Sequence, residues 1–390
     1  MNSKKVAVTG IGMIDANGNN YSNCWRGLID GKNPYSNTKQ IWEEEMFGLF
    51  PTSFRCGNGV IENEPGWPRA LSYGMVACRD AIGDAGVKGT NVGVIFSSLL
   101  GGNDLSHGMI KNDKVRPKQA LNCLRDSVAS VISQQYGFRG MNTSIQAACA
   151  TGIVSIDMAM KYLDEYDFMV VGGTDAGYNG IDIPMFKSWK ALGLQAKPFD
   201  VDRRGFVMGE GSGCLILESE QNAISRGAHI YAWLYPAGQS SDAYNRVAPQ
   251  GRGAIAAMEK AMENGPTPDV VNTHGTGTLI GDSVEYTAID KVLGGQIPLY
   301  SVKGKIGHTM AAAGILETIY SIASMQAGII PGTYGCKNPE YDINVDVVEH
   351  DTNVTLNNSF GFGGKCASMI IEKNVINLSL IHISEPTRPY

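Results

Sequence analysis

An α/β fold follows from three features of this 390-residue chain: short β-branched apolar runs, longer segments of helical character between them, and a 43% hydrophobic content that can fill a substantial core. Val6 to Thr9, Val92 to Ser97, Phe168 to Gly172 and Gly213 to Glu218 are nearly continuous apolar stretches, as strands covered on both faces are. Ile230 to Tyr235, Val270 to Thr273, Leu299 to Val302, Val354 to Asn357 and Ala367 to Glu372 are of the same kind. Ser72 to Ala85, Gly152 to Tyr162, Gly253 to Glu263, Ser283 to Leu293 and Ala311 to Ala327 read as the helices between them. Dividing the chain near Glu220 leaves two similar inventories, 1–220 and 221–376, each with a strand that runs through small residues into a strongly apolar helix. Lys187 to Gly211, rich in Gly, Pro, Asp and Arg, reads as a long functional loop. Residues 377–390 change character abruptly and read as a peripheral tail foreign to the natural protein.

Charge and composition exclude several classes. With 32 Lys+Arg against 38 Asp+Glu the net charge is −6, and no run of like charge supplies a nucleic-acid footprint. Apolar stretches are interrupted by glycine or charge well short of the roughly 18 residues a membrane span needs. Eight cysteines, none in a CxxC pair, behind an N-terminus without an apolar leader, lead us to expect reduced thiols in a cytoplasmic protein. Thr9-Gly10-Ile11-Gly12-Met13-Ile14-Asp15 begins like a dinucleotide fingerprint, but Asp15 stands where the third glycine belongs.

Three islands carry chemistry. Cys149, in Gln146-Ala147-Ala148-Cys149-Ala150-Thr151-Gly152, lies between a strand ending near Ile145 and a helix opening at Gly152. Unpaired N–H groups and the positive end of that helix are expected to lower its pKa towards a thiolate. Alone, such a cysteine among small residues is as a rule a buried spectator. His274 follows a strand and precedes Gly275-Thr276-Gly277-Thr278, whose hydroxyls suit an amide-rich arm. His308 ends Lys303-Gly304-Lys305-Ile306-Gly307-His308; a neutral imidazole there, with Lys303 nearby, can donate to a developing oxyanion. Glu317, on the apolar helix that follows, calls for a partner. The turn Asn358-Ser359-Phe360-Gly361-Phe362-Gly363-Gly364 can aim a backbone N–H at a substrate carbonyl, or serve as a structural turn only.

Taken in order, these motifs resemble the elongating, two-histidine class of β-ketoacyl-acyl-carrier-protein synthases. So do the opening Val8-Thr9-Gly10-Ile11-Gly12 and the loop from Pro198-Phe199-Asp200 through Arg204-Gly205-Phe206-Val207-Met208-Gly209-Glu210-Gly211, and the resemblance spans roughly residues 4 to 373. It implies a dimeric, thiolase-like fold of five α-β-α-β-α layers built from two similar halves. It implies that Cys149 takes an acyl chain from a phosphopantetheine arm and that decarboxylation of malonyl carrier protein supplies an enolate to attack it. His274 and His308 would then stabilise the enolate oxygen, and the backbone N–H groups of Cys149 and Phe362 would form an oxyanion hole. Lys303 and Glu317 would be a supporting charged pair, Thr276 and Thr278 would bind the pantetheine arm, and Phe362 would gate the nucleophile. No metal is required, and the cofactor arrives on acyl carrier protein.

Two other readings stay open: a non-catalytic chain-length or scaffold subunit of a ketosynthase heterodimer, and a thiolase-like enzyme using Cys366 as a second cysteine. Initiating synthases carry asparagine where His308 stands, which favours elongation. The chain is shorter than typical fatty-acid elongation enzymes, and Glu62-Asn63-Glu64-Pro65-Gly66-Trp67-Pro68-Arg69 lacks their basic helix, so we expect a specialised polyketide or aryl-polyene pathway. Carrier docking is expected at Lys111, Lys114, Arg116 and Lys118, or at Arg203 and Arg204, and the acyl pocket near Phe96 to Met109 and the dimer partner.

Overall fold

Strand β1 (Val6–Ile14) is buried along its whole length and pairs antiparallel with two strands, β5 (Gly211–Ser219) and β6 (Ala232–Leu234). In the computed structural model, which describes residues 5–31, 66–112, 116–178, 182–295 and 297–375, this strand joins two halves of one 11-stranded sheet. On one side the order is β1, β5, β4 (Phe168–Asp175), β2 (Val92–Ser97), β3 (Asn142–Thr143). On the other it is β6, β13 (Lys365–Lys373), β12 (Val354–Gly361), β8 (Val270–Asn272), β9 (Leu299–Tyr300), with β7 (Gly238–Ser241) added beside β13. Each side runs antiparallel, antiparallel, parallel, parallel outward from the junction. A small hairpin-like pair, β10 (Ile329–Ile330) and β11 (Val348–Glu349), stands apart.

Three apolar clusters give the layers. The first outer layer packs helices Arg69–Ala85 and Ser127–Tyr136 on β2, β4 and β5, through Leu71, Ala81, Val128, Val94 and Ile216. The second packs helices Arg252–Asn264 and Leu279–Leu293 on β8, β12 and β13, through Met258, Ala288, Val271 and Ile370. Between the sheet halves lie helices Thr151–Met160 and Ala313–Ala327, whose Ile153, Ile156, Ile315 and Ile319 share one core with Leu215 and Met369. This is an α-β-α-β-α stack of the thiolase type.

The strand and helix runs read from sequence coincide with these elements, usually within three residues. One difference is instructive. The glycines of the fingerprint-like stretch lie inside β1, which continues to Ile14, and a side chain at Gly10 or Gly12 would collide with the carbonyls of Ala81 or Ala77. They permit close helix-on-strand packing, and no dinucleotide loop exists there. No helix of the described residues is long and apolar enough to cross a membrane. Glu62 to Pro65, Lys114 and the tail 377–390 lie outside the described residues.

Candidate active site

The two central helices cross where each has a glycine. A Cβ on Gly152 would come 2.6 Å from Ile315 N, and one on Gly314 would come 2.9 Å from Ile153 N. That close crossing brings the segments preceding both helices together, and with them Cys149 and His308. Cys149 itself sits on a sharp turn: Ala148 takes φ 50°, a left-handed conformation that costs an alanine about 1–2 kcal/mol. Thr151 braces the turn, its Oγ1 accepting from Ala147 N at 2.9 Å and donating to Ala148 O at 2.6 Å. Met310 (φ 51°) and Lys190 (φ 54°), both beside the same cleft, are strained in the same sense.

Cys149 Sγ and one ring nitrogen from each of His274 and His308 lie within 4.8 Å of one another, all buried. The two imidazoles meet edge to face, 5.3 Å between centroids. The Nδ1 of His308 accepts from Met310 N (3.3 Å), and the Nδ1 of His274 faces Lys303 Nζ at 3.4 Å. With Nδ1 engaged as acceptor in both rings, the neutral tautomer carries its proton on Nε2, so each ring offers a donor. Burial, seconded by the Lys303 charge, holds both histidines well below the ordinary histidine value. Neutral rings are therefore the resting state at physiological pH, as the sequence reading requires of His308. Because folding depresses these values, each ring contributes stability that is full above about pH 6.5 and lost as the pH falls below it.

Lys303 and Glu317 form a buried ion pair, and Ser359 Oγ donates to the second oxygen of Glu317 at 3.4 Å. Burial pushes the Glu317 carboxyl up to about 7, opposed by Lys303. Thr276 and Thr278 share a hydroxyl–hydroxyl hydrogen bond of 3.0 Å and face a cleft of about 400 Å³ that leads to Cys149 and is also lined by Phe362, Arg204 and Arg246. The Phe362 backbone N–H points at the Cys149 sulfur. An apolar wall of Leu100, Ile183, Phe186, Phe206, Met208 and Met310 packs around the thiol.

Four expectations change. Cys149 is not an acidic thiol: burial pushes it up to about 12, and Lys303 and the Phe362 N–H only partly oppose that. We therefore expect iodoacetamide alkylation of Cys149 to accelerate about tenfold per pH unit from pH 7 to 9; a plateau below pH 8, read by mass spectrometry, would contradict the assignment. Arg203 cannot dock a partner, being 1% exposed, ion-paired to Glu340 and donating to the carbonyls of Asp200, Thr278 and Leu279. Arg204 is exposed and lines the cleft, and Lys111 and Arg116 are exposed. Phe96 belongs to the outer core layer, so the wall near the thiol begins at Leu99 and Leu100. Cys366 lines the cleft but stands outside the close trio, its thiol also pushed up to about 12 by burial.

Sequence reasoning missed the groups that hold the histidine loop. Glu285 accepts from His274 N (2.7 Å) and Gly275 N (2.8 Å), and Asp282 from Thr276 N (3.1 Å) and Gly277 N (3.0 Å). Their i, i+3 spacing on the helix opening after Thr278 was the available signal. Asp175 was missed as well; it accepts from Ala311 N at 2.8 Å and Leu100 N at 3.0 Å, tying the two halves together beside His308. Cys149, His274 and His308 are also the one grouping with metal-ligand spacing among the described residues, and such a donor set suits a thiophilic ion. An ion there would occupy the sulfur that acyl transfer needs.

Residues 68–223 match the profile of the beta-ketoacyl synthase N-terminal domain, and residues 231–337 that of the C-terminal domain. A 3-oxoacyl-[acyl-carrier-protein] synthase 2 from Vibrio harveyi is 32% identical over 96% of this chain and 99% of its own. Among solved structures, the ishigamide ketosynthase/chain length factor aligns with a TM-score of 0.86 at 27% identity, over 96% of this chain and 100% of that one. A type II PKS ketosynthase bound to the hexaketide, solved with its acyl-carrier protein, aligns with a TM-score of 0.85 at 25% identity, over 95% and 100%.

Proposed function

This chain belongs to the β-ketoacyl synthase family, acyltransferases that make a carbon–carbon bond by decarboxylative condensation in fatty-acid or polyketide synthesis, and from that premise we propose the part each residue plays. Cys149 attacks the thioester carbonyl of an acyl carrier protein. The carrier's pantetheine sulfur leaves with the thiol's proton, so the high pKa of Cys149 is met without a separate base. The backbone N–H groups of Cys149 and Phe362 stabilise the tetrahedral oxyanion. Malonyl carrier protein follows, its arm held against Thr276 and Thr278. His274 and His308 donate from Nε2 to its thioester oxygen as carbon dioxide departs and the enolate forms. The enolate carbon then bonds to the acyl carbonyl, the Cys149 thiolate is expelled and regains a proton, and a β-ketoacyl carrier protein two carbons longer leaves.

The observation that carries this reading is the buried trio of one thiol and two neutral, donor-tautomer imidazoles. Lys303 and Glu317 position His274. A non-catalytic scaffold has no chemical use for the whole set, which disfavours that alternative, and the absence of Cys366 from the close grouping of Cys149 with the two histidines disfavours a thiolase. We further propose that residues 1–220 and 221–376 are the two duplicated halves, that phosphopantetheine arrives on the carrier, and that the chain works as a homodimer or beside a ketosynthase-like subunit. The seven cysteines among the described residues are all free, which suits a reducing, cytoplasmic setting.

The test is intact-mass analysis after exposure to a panel of acyl carrier proteins. One acyl group on Cys149, followed by a condensed product on adding malonyl carrier protein, is expected. No acyl mass from any carrier would sink the enzyme reading.

A further inference from the structure

Trp189 stands at the mouth of the cleft with 41% of its surface exposed, a costly place for an indole unless the ring serves something. Its position is built. The helix Asp182–Ser188 stops just before it, and Lys190 turns left-handed (φ 54°). Lys190 N then bonds Lys187 O at 2.9 Å and Ala191 N bonds Phe186 O at 3.2 Å, which closes the helix and leaves Trp189 on its rim.

The indole touches two rings. On one side it meets Phe186 edge to face, 5.5 Å between centroids at 88°. On the other it meets Phe362, 5.6 Å at 82°. The two partners differ in kind. Phe186 is 3% exposed and anchored on Phe206 (5.7 Å), which in turn faces His308 (5.1 Å). Phe362 sits in the β12–β13 turn, whose Gly363 and Gly364 take φ 85° and 74° and whose backbone is held by Gly363 N donating to Arg246 O at 2.7 Å and Asp242 N donating to Gly364 O at 2.8 Å. These bonds fix the backbone and leave the Phe362 ring to be held by its side-chain contacts. Trp189 supplies the one ring-to-ring contact that Phe362 makes among the described residues.

We propose that Trp189 is a positioning residue that pins the Phe362 ring beside Cys149, joining that ring to the buried aromatic row Phe186, Phe206, His308. The latch sets how readily small reagents and water reach the thiol. Its consequence for chain transfer rests on the condensing-enzyme reading above: an acyl group on Cys149 survives to meet malonyl carrier protein only while water is kept from it.

The experiment compares full-length wild type, Trp189→Ala, Trp189→Leu and Trp189→Phe. Each is treated with iodoacetamide, which bonds carbon to the Cys149 sulfur and releases iodide while the thiol proton goes to buffer. Trp189→Ala and Trp189→Leu should be alkylated roughly two- to tenfold faster, the population shift expected from losing one edge-to-face ring pair, and Trp189→Phe should stay near wild type. Leucine keeps bulk without a ring, so a folded Leu variant decides the matter if the alanine variant fails to fold. Acylated variants should lose their acyl group to hydrolysis in the same order. Wild-type alkylation rates in the Ala or Leu variant, or a Phe variant that behaves like them, would overturn the latch. Alkylation needs neither carrier nor substrate, so failure of every carrier to acylate the wild type would refute the function and leave the latch result readable.

Discussion

Cys149→Ala is expected to lower acyl transfer by at least ~10⁴-fold, because nothing else near the two histidines can form the thioester. Cys366, the other thiol of the cleft, lies outside the trio and is pushed up to about 12 by burial, so it offers no substitute. The informative companion is Cys149→Gln. It removes the nucleophile yet leaves His274 and His308 with their Nδ1 partners, Lys303 and the Met310 N–H. Malonyl carrier protein should then still lose carbon dioxide, the enolate taking a proton from water to give acetyl carrier protein. Measuring released carbon dioxide separately from condensed product checks both halves. Loss of decarboxylation in a folded Gln variant would mean that the histidines do not act on the malonyl oxygen.

The second large effect concerns stability. Lys303 is 1% exposed and Glu317 fully buried, so Glu317→Ala strands an ammonium in the core. Breaking one side of such a pair costs about 3–5 kcal/mol, which the urea midpoint will report. Lys303→Met should cost less at neutral pH, because the remaining carboxyl, pushed up by burial and no longer opposed by Lys303, escapes its charge by taking a proton. Its penalty should therefore grow as the pH rises above about 7, where the wild-type carboxyl ionises beside Lys303, and level off below it. Removing both charges together, as Lys303→Met with Glu317→Leu, should recover much of the loss in stability. It should not recover condensation, since His274 Nδ1 then has no donor to fix its tautomer. Recovery of full activity in that double variant would remove the pair from any positioning role.

Sequence and tertiary structure contributed different parts. The strands were legible because a sheet covered on both faces writes continuous apolar runs, and β1, β2, β4 and β5 are buried at nearly every position. Cys149, His274, Lys303, His308 and Phe362 were legible because each stands among small residues at an element boundary. The loop-holding carboxylates were not. Glu285, Asp282 and Asp175 act by accepting backbone N–H groups, and such bonds leave no pattern in the chain beyond a common Asp or Glu. Arg203 was misplaced for a related reason: three of its partners are backbone carbonyls, of Asp200, Thr278 and Leu279, brought to it only by folding.

By itself, then, the sequence determined the layer architecture, the family and the chemical groups, since these follow from residue type, order and local periodicity. Only the tertiary structure decided their state. The crossing of two central helices at Gly152 and Gly314 brings a thiol from one half of the chain against a histidine from the other. Burial there keeps the imidazoles neutral and, against the helix-terminus argument, keeps the cysteine protonated. Local sequence carries the sign of a helix end or a neighbouring charge. The desolvation that outweighs both depends on everything packed around the site.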